Sequence, residues 1–442
     1  VFDTTILGSN PSAPAKIMMK ETENFLLKIK KRLFPFYKSK EASLIFKTLQ
    51  KGEPREKKVV MFVGGCVRKY IEDQEIDDID IATIFSPREI KEKFNNTGVK
   101  IIDTGIEHGS ITLLINKSRF EITTLRKDIK NYGRHADVSF TEDWIEDSNR
   151  RDFTINAIYL DNKGKIFDPH SGIKDLKNKV VKFIGEPSLR IEEDYLRIIR
   201  YIRFCIQYDS NIDHSTLESI KLNLNGIKSL SKERILNELF KIISLNNFKN
   251  INQNKNLKNI FSIIFPELKY IERMAKFQSV SSLFKLSEIF TLTILLIDSS
   301  NNYEYFCHKY KTSNLIKEEL NLAAQLLKLY VNDKNFLEKN LKKNIYLFGK
   351  EKINQFYWML FFIYKKISVR DCQILTDKIH KINIPKFPLD GKYLIKQGLT
   401  EGKKIGYVLK ELEKSWIENN YNLPEKIIID KINEVKLDIF NP

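Results

Sequence analysis

Three clusters in this chain have residue types and spacings suited to chemistry on a phosphorylated substrate. The first is Gly64-Gly65-Cys66-Val67-Arg68, followed by Asp77-Asp78-Ile79-Asp80-Ile81-Ala82-Thr83. In a strand, residues i and i+2 face one side, so Asp78 and Asp80 point together while Ile79 packs inward. Two converging carboxylates repel unless a cation lies between them. Hard oxygen ligands favour Mg2+, which would bridge an incoming triphosphate and activate a hydroxyl nucleophile. Gly64 and Gly65 at a strand end let backbone N–H groups approach phosphates, and the following helix N-terminus adds its dipole. Arg68 would be a charge-assisted clamp. Alone, Gly-Gly is a turn and Asp-x-Asp a solvated strand edge; their ordered combination carries the information.

The second cluster is Arg150-Arg151-Asp152-Phe153-Thr154-Ile155-Asn156-Ala157. Arg151, Asp152 and Asn156 offer donors and acceptors for phosphate and ribose hydroxyls. An exposed charged turn leading into an apolar strand would read the same way. The third runs from Glu192 through Asp194, Arg197, Arg200 and Arg203 to Phe204. On one helix Asp194, Arg197 and Arg200 fall at i, i+3 and i+6, and a rigid acceptor–donor pair of this kind can read the edge of a base. An intrahelical salt-bridge ladder has the same spacing.

The elements that must hold these residues are legible in outline. Val59–Val63 is a short apolar run typical of a buried strand, ending at Gly64-Gly65, and Val67–Asp73 suits the helix that follows. Further strands are expected at Ile79–Ile84, Ile111–Ile115 and Phe120–Leu125, with turns at Asn162–Lys165 and Asp168-Pro169. Glu23–Gln50 reads as helical, and Lys51–Lys58 as a polar connector. From about Pro187 long helical periods take over and strand signals nearly vanish. The expected fold is α+β: a mixed-sheet head over 23–185, a helical neck over 186–250, and a helical body and tail over 251–442, preceded by an extension over 1–22.

A chain of 442 residues is long enough for two to four packed units. Its formal charge of +17 suits a polyanionic partner, and residues 211–442 hold 37 basic against 25 acidic side chains, so most of the excess lies away from the acidic motifs. An AT-rich coding sequence would also enrich Lys, Ile and Asn. The four cysteines (Cys66, Cys205, Cys307, Cys372) are far apart, which argues against a zinc ribbon or a secreted disulfide framework and suits a reducing cytoplasm. The six histidines are scattered. No apolar run is long enough for a membrane span, and the first residues look like neither a secretory signal nor a transit peptide.

Taken together, the three clusters resemble the class II CCA-adding enzymes, tRNA nucleotidyltransferases of the DNA polymerase β superfamily. The similarity runs from about Val59 to Phe204. It takes in Asp103–Ser110, Phe120–Arg126 and Gly133–Asp137, then Lys232–Glu238, and near the end Pro388–Gly391, Gly398, Gly402 and Ile405 through Trp416. The resemblance implies a polymerase β-like head and template-independent addition of C, C and A to tRNA from CTP and ATP. It further implies two-metal-ion catalysis with Mg2+ and release of pyrophosphate; no obligate protein partner is evident in the sequence. Asp78 and Asp80 match the metal-binding aspartates, and Glu121 sits where relatives often place a third carboxylate. Gly64, Gly65 and Arg68 match the triphosphate loop, and Arg151, Asp152 and Asn156 the ribose motif. Asp194 and Arg197 match the base-reading pair, with Arg200 and Arg203 counted among the nucleotide contacts. Asp103–Ser110 matches the region near the loop associated with switching from C to A addition. A bacterial poly(A) polymerase shares the head, but Glu107-His108-Gly109-Ser110 and the tail favour the tRNA enzymes. The motifs are also compatible with a C-only enzyme, whereas intact Asp78, Asp80 and Arg197 argue against a silent RNA-binding relative. Lys69 departs from the family pattern, which has aspartate there, and altered local packing with retained activity is expected.

Overall fold

The computed structural model describes residues 35–132, 135–280, 286–399 and 402–437, and the chain divides into two compact units after Pro266. The extension over 1–22 and the first part of the Glu23–Gln50 helical reading lie outside the described residues. Within the described part, a short 3-10 turn at Phe36–Lys38 precedes α1 (Lys40–Gln50). Ser39 caps α1 by accepting from Ala42 N at 3.1 Å, and Ala42, Ile45, Phe46 and Leu49 form its buried stripe.

The first unit is built on a seven-stranded mixed sheet in the order β3-β4-β5-β2-β1-β8-β9. Its strands are β1 (Val60–Val63), β2 (Ile79–Thr83), β3 (Lys100–Gly105), β4 (Ser110–Ile115), β5 (Ser118–Thr124), β8 (Tyr159–Leu160) and β9 (Ile166–Phe167). β2 and β5 run parallel with Asp80 opposite Glu121; the other pairs are antiparallel. All four residues of β1 are buried, as a continuous apolar run demands of a central strand. Phe62 packs on Phe46 at 4.7 Å and Phe36 at 4.8 Å between ring centres, and a fully buried phenylalanine contributes about 1.5–3 kcal/mol. α2 (Gly65–Ile71) follows β1, and α3 (Pro87–Phe94) begins with a Ser86/Glu89 capping box. β6 (Arg126–Tyr132) and β7 (His135–Phe140) pair as a separate two-stranded ribbon. The fold is α+β with a mixed sheet, as the sequence suggested. β3 and the β6–β7 ribbon are additions to that expectation.

Helices dominate thereafter: α4 (Trp144–Asn149), α5 (Gly172–Lys177), α6 (Pro187–Glu193), α7 (Leu196–Tyr208), α8 (His214–Asn223), α9 (Lys232–Ile243) and α10 (Lys255–Ile264). α7 is anchored by Ile198, Ile199, Tyr201, Ile202 and Phe204, with Tyr201 stacked on Phe183 and Phe204 edge-on to Phe153. The expectation of one helix carrying Asp194, Arg197 and Arg200 needs correction. Asp194 adopts extended backbone (φ −154°, ψ 104°), ending α6, and α7 starts only at Leu196.

The second unit holds ten α-helices among its described residues and no strand there. Phe290, Trp358, Phe361 and Phe362 are buried in its first part; Leu394, Leu399, Val408, Leu412, Ile428 and Ile432 form a separate core near the C-terminus. No described helix is long and apolar enough to cross a membrane.

Candidate active site

β1 is followed directly by Gly64, whose φ of +75° lies in the region that favours glycine. A Cβ there would lie 3.7 Å from Asp80 Oδ2, so the loop backbone runs directly beside that carboxylate. Asp80 faces the same recess as Asp78 and Glu121, a space of about 290 Å³ also lined by Arg119. Asp78 is exposed, just before β2; Asp80 is half-buried within it. Burial, and then repulsion from Glu121 and Asp78, push the Asp80 carboxyl up to about 6 against the pull of Arg151 and Arg68. Ionising Asp80 therefore costs more than ionising an ordinary aspartate. A cation would reverse this.

The recess opens beside a cleft of about 780 Å³ that gathers Gly64, Gly65, Arg68, Asp78, Asp80, Arg151, Asp152, Asn156, Asp194, Arg197, Arg200 and Arg203. Every candidate from the three sequence clusters thus reaches one cavity, apart from Glu121, which lines the adjoining recess. A relay of side chains crosses it. Arg68 donates to Asn156 Oδ1, Asn156 Nδ2 donates to Asp152 Oδ1 at 2.8 Å, and Asp152 Oδ2 pairs with Arg200 at 2.7 Å. Burial raises the Asp152 carboxyl, but Arg200 and the Asn156 hydrogen bond outweigh it and hold the group ionised. Residues 151–157 form a buried turn with a 3-10 helix at Thr154–Asn156, rather than an exposed charged turn. Gly172 packs against that turn so closely that a Cβ would sit 2.2 Å from Thr154 O.

On the α7 side, Asp194 and Arg197 are separately held. Asp194 accepts from Arg234 Nη2 at 2.7 Å and from Leu196 N at 3.1 Å. Arg197 donates to Arg190 O at 2.7 Å and to Glu193 Oε2. Arg203 pairs with the buried Glu238 at 2.8 Å, and both Arg203 and Arg68 lie over the Phe204 ring, at 4.1 and 4.8 Å from its centre. Lys69 donates to Asp77, whose carboxyl is held below its usual range by that bond and also accepts from Asp78 N at 2.9 Å. Asp103–Gly105 closes β3, Ile106–His108 forms a 3-10 turn, and Ser110 opens β4, so the Asp103–Ser110 stretch is a strand–turn–strand connection tied by Arg126 to His108 O.

Residues 60–182 match the poly A polymerase head domain family, and residues 211–271 match a family described as a probable RNA and SrmB-binding site of polymerase A. The CCA tRNA nucleotidyltransferase 1, mitochondrial, of Danio rerio is 32% identical over 385 residues, covering 84% of this chain and 86% of the relative. Its Homo sapiens counterpart is 32% identical over 401 residues, covering 86% and 88%. The chain belongs to the CCA tRNA nucleotidyltransferases. A crystal structure of the Bacillus stearothermophilus CCA-adding enzyme in complex with CTP has the same fold, with a TM-score of 0.69 at 21% identity over 91% of this chain and 98% of that one.

Nucleotidyltransferases of this family work with divalent metal ions. Among the described residues no three His, Cys, Asp or Glu side chains converge closely enough to cage an ion unaided. Asp78 and Asp80, with Asp80 poorly stabilised as an anion, fit a cation whose remaining ligands come from substrate phosphates and water. Several residues that support the cleft were not assigned a role from sequence. Asp147, Glu193, Arg234 and Glu238 each hold an arginine or aspartate of the site; Glu193 stood in the third cluster and Arg234 and Glu238 in the Lys232–Glu238 resemblance, whereas Asp147 carried no signal. Gln207 and Lys241, which carried no signal, line the cleft, together with Arg126 and Phe204 from the quoted motifs.

Proposed function

We propose that this chain adds C, C and A to the 3′ end of tRNA from CTP and ATP without a nucleic-acid template. The observation that carries the proposal is the single cleft lined by the Asp78/Asp80 carboxylates and the Arg68 loop together with Asp194 and Arg197. Family membership supports tRNA as the acceptor. Gly64, Gly65 and Arg68 would bind the triphosphate; Arg151, Asp152 and Asn156 the ribose and phosphates; Asp194 and Arg197 the base edge, with Arg200 and Arg203 behind them. Asp accepts from an exocyclic amine and Arg donates to a ring nitrogen or carbonyl, so C and A are favoured over U and G. Mg2+ is the metal we assign, held by Asp78 and Asp80 with Glu121 nearby, where it would neutralise phosphate charge and acidify the attacking 3′ hydroxyl. The reaction transfers the nucleotidyl group to that hydroxyl and releases pyrophosphate. We infer a cytoplasmic enzyme, supported by four buried, unpaired cysteines; the mitochondrial names of two relatives make fractionation of cells the test of this point.

Labelled CTP and ATP supplied with tRNA lacking CCA test the activity. The expected product is three nucleotides longer, ends in A, and is lost on chelation. A long A tract would mean poly(A) synthesis, two added nucleotides a C-only enzyme, and no incorporation a silent relative. Arg197→Ala should blur the choice of nucleotide, and unchanged selectivity would refute its base-reading role.

A further inference from the structure

Two adjacent arginines on a turn repel each other and sample many rotamers, so Arg150 and Arg151 must be aimed before they can grip a nucleotide. One side chain touches both. Asp147, on α4, is fully buried. Its Oδ1 accepts from Arg150 Nε at 2.8 Å, and its Oδ2 accepts from Arg151 Nη2 at 3.0 Å, Arg151 Nε at 3.2 Å and the Tyr159 hydroxyl at 2.7 Å. Tyr159 closes the arrangement: its hydroxyl accepts from Arg151 Nε at 3.0 Å, and its ring lies 5.2 Å from the guanidinium. Arg150 and Arg151 line the cleft, whereas Asp147 does not. Burial raises the Asp147 carboxyl, but Arg151 and Arg150 outweigh it and keep the group ionised well below the usual range.

We propose that Asp147 is a positioning residue that holds Arg151 in the cleft beside Asp80 and fixes the Arg150–Arg151 turn beneath the base-reading segment. The proposal rests on Arg151 being a nucleotide ligand. The turn's reach is visible in its backbone: Arg190 Nη2 donates to Arg150 O at 2.6 Å and to Arg151 O at 2.8 Å. Arg190 also shares Glu193 with Arg197. Asp147 touches neither nucleotide nor metal in this arrangement, and acts through the arginines.

The test compares Asp147→Asn, which keeps the shape and removes the charge, with Arg151→Gln and with the double variant, in steady-state addition of CTP to tRNA lacking CCA. Loss of a charge-assisted hydrogen bond of this kind predicts a KM for CTP about tenfold higher in Asp147→Asn. The KM for tRNA should be unchanged, and the double variant should be within about twofold of Arg151→Gln alone. Full additivity overturns the proposal, as does an unchanged KM for CTP with kcat falling in step with the folded fraction. Should Asp147→Asn fail to fold, Tyr159→Phe removes one bond from Asp147 and one from Arg151; KM for CTP should then rise about threefold with a cooperative melt retained. An unchanged KM there overturns the proposal. A parent protein that adds no CTP overturns the underlying reading and this proposal with it, while an active parent with an indifferent variant overturns the proposal alone.

Discussion

Asp80→Asn should abolish nucleotide addition and yet make the metal-free protein more stable at neutral pH. Burial beside Glu121 and Asp78 raises the Asp80 carboxyl from the ordinary aspartate range to about 6. Below roughly pH 4 the group is protonated in both folded and unfolded chains, so it contributes nothing to the difference. Between about pH 4 and 6 the unfolded chain ionises while the folded one keeps its proton, and stability falls with rising pH by about 1.36 kcal/mol per pH unit. Above pH 6 the penalty is constant at about 3 kcal/mol. Asn removes the charge and keeps the shape, so about 3 kcal/mol is the ceiling on the gain. For a unit of this size that is a rise in Tm of several degrees, at ~2–4 °C per kcal/mol. Thermal melts of both proteins in EDTA at pH 4.5 and pH 8 measure it: the gap should be large at pH 8 and small at pH 4.5. A gain independent of pH, or an Asn variant no more stable than its parent at pH 8, would refute the reasoning. Adding Mg2+ should raise the parent's Tm at pH 8 and leave the variant's nearly unmoved, because the ion stabilises only the protein that binds it.

Three further outcomes follow from the contacts described. Glu193→Gln weakens the hold on Arg197 and Arg190, and incorporation of UTP relative to CTP should rise roughly tenfold in a competition assay. Glu238→Ala strands the largely buried Arg203 and should lower stability by about 3 kcal/mol in urea denaturation, the low end for a broken buried pair because Arg203 borders the cleft. Gly172→Ala forces the Thr154–Asn156 turn away from a Cβ that would meet Thr154 O, so both Tm and CTP affinity should fall, the latter read by equilibrium binding.

Much of the candidate cleft was legible in the sequence because the residues that line it are close together along the chain. Gly64-Gly65, Arg68 and the Asp78/Asp80 alternation declare themselves within twenty residues, and the apolar run before them permits only a buried strand. Asp147 could not be found this way. It stands in an acidic stretch, Glu142 to Asp147, that reads as solvated, and its burial is created by Arg150, Arg151 and Tyr159 closing over it. The break at Asp194 was hidden for the opposite reason. The 3.6-residue period continues through it, and what ends the helix is the extended backbone at Asp194, whose carboxylate is held by Arg234, forty residues away. β3 escaped notice because Lys100, Asp103 and Gly105 dilute its apolar residues, and pairing with β4 supplies what propensity does not.

If Arg68 holds the triphosphate as proposed, the relay from Arg68 through Asn156 and Asp152 to Arg200, one turn from Arg197 on α7, would link gripping the triphosphate to recognising the base. A ligand that disturbs one end of a hydrogen-bonded chain changes the free energy available at the other, and the linkage is reciprocal. Cytidine monophosphate, which lacks the groups Arg68 would hold, should therefore be distinguished from uridine monophosphate less sharply than CTP is from UTP. Fidelity in this cleft would then be a property of the whole nucleotide, with the phosphates acting as effectors of base choice.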